Sequence, residues 1–208
     1  MIGATGLVGR QLWPLLQSRH ELLVLGRRPS GAAHEKVGTM ERWPELLAGE
    51  RIDVAVSTLG TTRKQAGTWQ AFEAVDRHAV LAFAEAAHAA GARHFLAVSS
   101  SGANAASRNA YLRLKGEVEE ALGASGFDRV DLLRPGLLLG KRPGETRVLE
   151  RLAMTLDPLS RLVLRGSWDR YAGIDAGLVA RAMATLIERI EPGLFRHGNR
   201  EIRTAAAA

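Results

Sequence analysis

Cysteine is absent from this chain, and several classes of protein are excluded with it. None of the 208 residues is a cysteine, so the chain has no disulfide framework, no thiolate zinc site and no cysteine nucleophile. No apolar run approaches the roughly 20 residues that a membrane helix needs, and the N-terminus lacks the basic flank and hydrophobic region of a signal peptide. We therefore expect a soluble, cytoplasmic protein with no membrane partner.

Lysine is scarce although the chain is basic. The formal net charge is +6, yet only four of the 28 basic residues are lysines, and the arginines are scattered along almost every segment. Basic surfaces attract phosphate backbones, but nucleic-acid binding uses a clustered basic face or a recognisable reading motif. We therefore expect no nucleic-acid partner.

Length and composition indicate one domain. A chain of 208 residues that is 46% hydrophobic can bury one substantial core, and this length argues against two independent domains. We place the domain at residues 1–204 and interpret the alanine run 205–208 as a disordered tail.

Four short apolar runs alternate with longer segments of helical periodicity. Strands are predicted at 22–25, 53–57, 94–99 and 130–133, and helices at about 7–18, 69–90, 110–125, 147–155 and 176–190. This alternation predicts an α/β fold with a Rossmann-type, doubly wound parallel sheet. Ligands of such sheets bind where the carboxyl ends of the strands meet.

Three glycines open the chain with the spacing of a dinucleotide-binding turn. Gly3 permits a tight turn from strand to helix, Gly6 lets the backbone approach a diphosphate, and Gly9 lets the helix pack close to the sheet. The phosphates then lie at the positive N-terminus of the helix. Taken alone, the triplet also fits an ordinary glycine-rich turn.

Two local features disagree with this fold. Only Met1 and Ile2 precede Gly3, so the first strand is truncated at the N-terminus, either because the chain is shortened or because its start was assigned inside the strand. Loss of a central strand should leave the ladder groups of its neighbours unpaired. Pro14 falls inside the first helix, where it should kink or shorten it.

Two arginines stand where an NAD-binding fold usually offers an acidic side chain to the ribose. After the strand at 22–25 come Gly26, Arg27 and Arg28. A guanidinium makes charge-assisted bonds to the 2′-phosphate of NADP. The pair therefore favours NADP as the cofactor, although a solvated pair in a loop is the alternative.

Tyr111 and Lys115 lie four residues apart, which places them on one face of a predicted helix. An ammonium near the phenol stabilises the phenolate, so Tyr111 can give or take a proton at a carbonyl or alcohol. Ser99, Ser100 and Ser101 end the preceding strand and offer a hydrogen bond to the same oxygen. Such a pair also occurs by chance on protein surfaces. A chance occurrence is less expected here, because the pair follows a strand that ends in serines and lies downstream of the glycine turn.

Together these residues resemble the short-chain dehydrogenase/reductase superfamily. The sequence is most similar to an atypical branch, the family of the human HIV Tat-interacting oxidoreductase-like protein and its small bacterial relatives. The resemblance runs from Gly3 to about Arg147 and includes Leu59–Gly67, and its specific stretches are Leu59–Thr62 and Tyr111–Glu119. The further stretches that carry it are Gly3–Gly9, Leu25–Arg28, Val75–Asp76, His94–Phe95, Ser99–Ala103 and Arg134–Leu138.

The resemblance implies a role for each of these positions. Tyr111 would be the proton donor or acceptor, Lys115 would bond the nicotinamide ribose, and Ser100 or Ser99 would be the third catalytic residue. The NADP(H)-binding residues would be Gly3, Thr5, Gly6, Leu7, Val8, Gly9, Arg27, Arg28, Leu59, Gly60, Tyr111, Lys115, Leu138 and Arg147. Leu59 and Gly60 would line the adenosine side and Leu138 the nicotinamide side. Arg147, or alternatively Arg142, would reach a phosphate, and residues 140–175 would form a small substrate-side region.

Other polar residues receive structural interpretations. The six histidines show no metal-ligand spacing, so no metal is expected. Asp76 is interpreted as a helix-surface or capping residue. Arg134 is either buried and paired or faces the substrate pocket, and the stretch from Trp168 to Ile174 either covers the pocket or is a packed loop.

Three functions are compatible with this sequence. The first is an NADP(H)-dependent oxidoreductase acting on a small carbonyl or alcohol substrate that the motifs do not identify. The second is a regulatory protein that senses NADPH, without turnover, and reports to a protein partner or within a homo-oligomer. The third, a nucleotide-sugar epimerase, normally needs a larger C-terminal lobe than the roughly 60 residues that follow Arg147, where the resemblance ends.

Overall fold

A computed structural model describes residues 1–140 and 172–208 of the chain. The helices are α1 (Gly9–Gln17), α2 (Trp43–Leu47), α3 (Arg63–Ala66), α4 (Trp69–Glu73), α5 (Ala79–Ala89), α6 (Ala110–Gly123), α7 (Ala176–Leu186) and α8 (Asn199–Ala207), with a 3-10 turn at Met40–Arg42 and a π-helical turn at Ala74–His78. The strands are β1 (Leu23–Gly26), β2 (His34–Val37), β3 (Val54–Ser57), β4 (His94–Val98), β5 (Arg129–Leu133), β6 (Leu138–Leu139), β7 (Ile174–Asp175) and β8 (Gly193–His197). No described helix is long and apolar enough to cross a membrane.

A parallel sheet forms the centre of the molecule. Strands β3, β4, β5 and β8 are neighbours in that order, and β1 pairs with β2 on the other side. Every one of these pairings is parallel. The sheet confirms the predicted Rossmann-type α/β fold, because its chain order is that of a doubly wound dinucleotide-binding domain.

Ile2 joins the two halves of this sheet. It forms parallel bridges to Leu25 of β1 and to Ser57 of β3. The Ile2 amide donates to the Val56 carbonyl at 2.9 Å, and the Leu25 amide donates to the Met1 carbonyl at 2.8 Å. The first strand is as short as expected, but the expectation that its neighbours stay unpaired is wrong, because two residues suffice to bridge them.

Helices cover both faces of the sheet. Leu12 and Leu16 of α1 pack with α7 and α8 against Leu96 and Leu133. Helices α4, α5 and α6 cover the opposite face, and their apolar side chains pack against Phe95 and Leu132. These side chains are Phe72, Phe83, Leu114, Val118 and Leu122. The apolar side chains of the buried strands face both layers, as expected for a parallel sheet covered on both sides.

Within the described residues most predicted elements agree with the structure, and the helix predicted at about 147–155 lies outside them. Helix α1 continues through Pro14, which is exposed and does not break it. The segment predicted as one helix at 69–90 contains the π-helical turn. Strands β2 and β8 were not predicted, because both are exposed sheet edges with polar residues rather than apolar runs. The disordered tail expected at 205–208 is wrong: α8 extends to Ala207, and Ala205 and Ala206 pack against the core.

Candidate cofactor and catalytic site

The glycine turn packs directly on the carboxyl end of β3. Gly3 has φ +83°, and a Cβ there would lie 2.5 Å from the backbone nitrogen of Leu59. A Cβ on Gly9 would lie 2.1 Å from the Gly3 carbonyl oxygen, while the Gly6 amide donates to that same oxygen at 2.9 Å. Both positions therefore exclude any larger residue, and the turn is held in the shape that a diphosphate requires.

The N-terminus of α1 is uncapped. No side chain accepts a hydrogen bond from its first turn, and that turn contains no acidic residue. Thr5 and Gly6 are exposed just before it, while Leu7 and Val8 are buried. The positive end of the helix dipole thus faces an accessible turn, which fits the phosphates of a dinucleotide.

Arg27 and Arg28 are exposed in the loop that follows β1. The Glu35 carboxylate shapes this loop, accepting hydrogen bonds from the Ser30 amide and hydroxyl, both at 2.7 Å. These bonds, the hydroxyl first, lower the pKa of Glu35. Among the described residues neither guanidinium makes a hydrogen bond or a close ion pair, although the pKa of Glu41 is lowered by a hydrogen bond from its own amide and, to a smaller extent, by the Arg27 charge.

The segment after β3 connects the glycine turn to the helical layer. The Thr58 amide donates to the Ile2 carbonyl at 3.0 Å, which holds Leu59 and Gly60 beside Gly3. The Thr61 amide donates to the Asp76 carboxylate at 2.8 Å. The turn, Leu59 and Gly60, and Asp76 therefore form one connected unit at the edge of the sheet.

Helix α6 begins just before Tyr111. The Asn109 side chain caps it by accepting from the amides of Tyr111 at 3.0 Å and Leu112 at 3.2 Å. One turn later Lys115 is buried, with only 7% of its surface exposed, and its ammonium lies 2.7 Å from the Asp76 carboxylate. The cap sets the rotation of α6, and with it the face that carries Tyr111 and Lys115.

Asp76 is neither a surface nor a capping residue, so its sequence-based interpretation is wrong. It is 1% exposed and lies inside the π-helical turn Ala74–His78. A π-helical turn rotates the residues after it relative to a regular helix and is often found at functional sites. Here the turn carries the carboxylate that pairs with Lys115, and nothing in the local sequence signals it.

Tyr111 lies at the opening of this arrangement. It is half-buried, and its ring packs against Phe72 with the centroids 5.8 Å apart. Its hydroxyl makes no hydrogen bond with any described residue. The phenol is therefore placed by packing alone and is free to bond a ligand.

The serines after β4 differ in their partners. The Ser99 hydroxyl donates to the Glu119 carboxylate at 2.5 Å, whereas the Ser100 hydroxyl reaches only the Ser101 carbonyl at 3.3 Å. The Ser99 hydroxyl is thus held by a buried carboxylate. The Ser100 hydroxyl has only a long hydrogen bond, so it is the more available of the two to a ligand.

Glu119 was given no role from the sequence. It is 2% exposed and accepts hydrogen bonds from Ser99, Arg134 and Arg196. Arg134 therefore forms an ion pair with Glu119, which is one of the two alternatives given for it above. A signal for Glu119 exists in the sequence: it follows Lys115 by four residues, so it lies on the same face of α6.

Five of these side chains line one small cleft between the sheet and helices α5 and α6: Leu59, Asp76, Ser99, Lys115 and Glu119. The structure thus brings Lys115, Ser99 and the segment beside the glycine turn together, with Tyr111 one helical turn away. Leu138 lies on β6, which pairs with β7. Arg142, Arg147 and residues 168–171 lie outside the described residues.

The described residues contain no candidate metal site. No group of three or more histidine, aspartate and glutamate side chains in residues 1–140 and 172–208 is arranged to hold a metal ion.

Fungal proteins are among the sequences that this chain resembles. The mitochondrial protein FMP52-1 of Scheffersomyces stipitis is 36% identical over 164 residues, covering 74% of this chain and 73% of that protein. The mitochondrial protein fmp52 of Aspergillus fumigatus is 35% identical over 196 residues, covering 88% of this chain and 83% of that protein. These names contradict the expected cytoplasmic location, which was wrong because the absence of a leader pattern is weak evidence about a compartment.

Solved structures share the fold at low sequence identity. MoeE5 in complex with UDP-glucuronic acid and NAD superposes with a TM-score of 0.68 at 18% identity, covering 94% of this chain and 73% of that one. A short-chain dehydrogenase/reductase superfamily protein from Agrobacterium tumefaciens with bound NAD gives a TM-score of 0.68 at 16% identity, covering 95% of this chain and 76% of that one. The likeness at this identity concerns the fold alone.

The family assignment comes from the sequence itself. Residues 3–158 match the NAD(P)H-binding family, and this range includes the glycine turn, Arg27, Asp76, Tyr111 and Lys115. Because the match covers more than half of the 208 residues, this chain belongs to the NAD(P)H-binding family.

Proposed function

We propose that this protein is an NADP(H)-dependent oxidoreductase of the atypical short-chain dehydrogenase/reductase type, acting on a small carbonyl or alcohol substrate. The observation that carries the proposal is the position of Tyr111 and Lys115 on one face of α6, beside the segment that packs on the glycine turn. The stretches Leu59–Gly67 and Tyr111–Glu119 further support the branch of the Tat-interacting oxidoreductase-like proteins.

The chain offers a separate group of residues for each part of the cofactor. Gly3, Thr5, Gly6, Leu7, Val8 and Gly9 would hold the diphosphate, and Arg27 and Arg28 the 2′-phosphate. Leu59 and Gly60 would contact the adenosine side, Leu138 the nicotinamide side, and Arg147 a phosphate. When bound, the nicotinamide supplies or accepts a hydride.

Tyr111 handles the proton in this proposal. During reduction its hydroxyl gives a proton to the oxygen of the carbonyl, and during oxidation the phenolate takes one from the alcohol. The Lys115 ammonium would stabilise the phenolate, and its ion pair with Asp76 holds it in place. Ser100, whose hydroxyl is the freer of the two serines, would hold the substrate oxygen by a hydrogen bond.

The substitution Tyr111→Phe tests this role. Phenylalanine keeps the ring contact with Phe72 but removes the hydroxyl, so NADPH should bind with unchanged affinity while turnover with a carbonyl panel falls by roughly a hundredfold or more. Turnover is followed as NADPH oxidation and binding as an equilibrium titration. Equal turnover by the variant and the parent protein would remove Tyr111 from the mechanism.

A sensing function without turnover is the second candidate, and one observation favours it. Lys115 is paired with Asp76, and Ser99 is bonded to Glu119, so two of the four expected catalytic residues are satisfied inside the protein. NADPH binding, no activity across the same panel, and a partner that binds only the NADPH-loaded form would favour sensing. Nucleotide-sugar epimerisation has no support beyond a shared fold.

A further inference from the structure

A row of three aromatic rings leads away from Tyr111. The Tyr111 and Phe72 centroids are 5.8 Å apart, and the Phe72 and Trp69 centroids are 5.3 Å apart. Phe72 is completely buried, whereas Trp69 and Tyr111 are half-buried. The row therefore has a covered centre and two partly open ends, one of which is the proposed acid–base residue.

A cation stands at the far end of this row. The Arg63 guanidinium lies 5.2 Å from the centroid of the Trp69 ring, and Lys64 follows it in the chain. Both side chains are exposed, and across residues 1–140 and 172–208 neither forms an ion pair. This end of the row thus combines an apolar ring with positive charge that has no counter-charge from the described chain.

The turn that carries Arg63 and Trp69 is fixed by two caps. The Thr62 hydroxyl accepts from the Gln65 amide at 3.2 Å at the start of α3, and the Thr68 hydroxyl accepts from the Ala71 amide at 3.1 Å at the start of α4. Gly67, with φ +80°, joins the two helices. Capped turns hold their backbone in place before a ligand arrives, which lowers the entropic cost of binding.

The row also lies at the ligand-binding edge of the sheet. Helices α3 and α4 follow the carboxyl end of β3, and α6 follows the carboxyl end of β4. The Thr61 amide, two residues before Arg63, bonds Asp76 at 2.8 Å, and Asp76 in turn bonds Lys115. The turn with the cation is therefore attached to the proposed catalytic group.

From this arrangement we infer the substrate class: an amphipathic carbonyl compound whose apolar body lies along Trp69 and Tyr111 and whose carboxylate binds Arg63 and Lys64. The inference rests on the proposed function. An arginine over an aromatic ring binds a carboxylate through charge and through its planar donors, while the ring covers the apolar part of the ligand. With the carboxylate at Arg63, the carbonyl at the other end of the molecule reaches Tyr111.

The test uses ω-oxo carboxylic acids, which carry an aldehyde at one end and a carboxylate at the other, in a series of chain lengths. Their methyl esters are the matched neutral probes. Binding to the NADPH-loaded protein is measured by calorimetry, and turnover by NADPH oxidation, so the two readouts are independent. We expect an acid of one favoured length to bind roughly fivefold to tenfold more tightly than its ester, with a preference that shrinks as salt is raised.

Two variants test whether Arg63 causes the preference for the acid over its ester. Arg63→Ala should abolish this preference and Arg63→Lys should retain part of it, with NADPH affinity unchanged in both. Arg51→Ala is the matched control, because Arg51 is also exposed but precedes β3 and so lies at the opposite edge of the sheet; it should keep the preference.

The outcomes separate this inference from the proposed function. Equal binding of acids and esters at every length would overturn the inference, as would an Arg63→Ala variant that loses NADPH affinity, because the guanidinium would then serve the cofactor. Tighter binding of the acids without any NADPH oxidation would support the inference and overturn the oxidoreductase proposal.

Discussion

At the scale of single residues, the site depends on a buried ion pair. Lys115 and Asp76 are both nearly inaccessible, and their charged atoms are 2.7 Å apart. Each charge would be costly to bury alone, so each requires the other. The second Asp76 oxygen is bonded by the Thr61 amide, which means that the pair also holds the segment after β3.

The substitution Asp76→Asn should destabilise the protein because it leaves the Lys115 ammonium buried without a counter-charge. We expect the free energy of unfolding to fall by about 3 kcal/mol, measured by urea unfolding. Glu45→Gln is the control: Glu45 forms an exposed ion pair with Arg42, and its loss should change stability by less than about 1 kcal/mol. An Asp76→Asn variant as stable as the parent protein would mean that the pair is not a stabilising contact.

The arrangements that can be predicted from the sequence and those that cannot differ in a physical way. The Gly3, Gly6 and Gly9 spacing reflects a local turn, and the spacing of Tyr111 and Lys115 reflects a single helix, so both are visible in a short stretch of sequence. Asp76 meets Lys115 across 39 positions of the chain through a π-helical turn that has no sequence signature. The Glu119 contacts with Arg134 and Arg196 likewise depend on how α6 lies against β5 and β8.

At the scale of elements, one buried carboxylate connects three strands. Asp131 of β5 is bonded by His94 of β4 at 2.7 Å and by His197 of β8 at 2.6 Å, and Arg129 of its own strand bonds it at 2.6 Å. Burial alone would raise the pKa of Asp131, but the hydrogen bonds from His197, His94 and Arg129 outweigh it and hold that pKa well below its usual range. The carboxylate thus attaches the edge strand β8 to the centre of the sheet.

This cluster predicts a loss of stability in acid. Because the pKa of Asp131 is depressed in the folded state, its contribution is fully present above the ordinary aspartate pKa of about 3.9 and is lost as the pH falls below that value. His197→Leu removes one donor, which should raise the folded pKa of Asp131 and move the midpoint of acid unfolding to higher pH. Circular dichroism measured against pH reports this midpoint.

His34→Leu provides the comparison for acid unfolding, since His34 is exposed on β2 and its replacement should leave the midpoint unchanged. Superimposable acid transitions for His197→Leu and the parent protein would show that Asp131 does not need the His197 bond to stay ionised.

At the scale of the whole molecule, a two-residue strand holds the halves of the sheet together. Met1 and Ile2 connect β1 to β3, and the glycine turn that follows lies where a cofactor would add contacts to both halves. A ligand that binds only the folded state stabilises it in proportion to the logarithm of its concentration over its dissociation constant. The central proposal, an NADP(H) site in this fold, is therefore measurable without a known substrate.

An equilibrium titration with NADPH and NADH, on the parent protein and on Arg27→Ala, tests that proposal most directly. We expect NADPH to bind at least roughly tenfold more tightly than NADH, because in the proposed site Arg27 and Arg28 would bind the 2′-phosphate, and we expect Arg27→Ala to lose most of this difference. Tighter binding of NADH by the parent protein, or no binding of either dinucleotide, would contradict it.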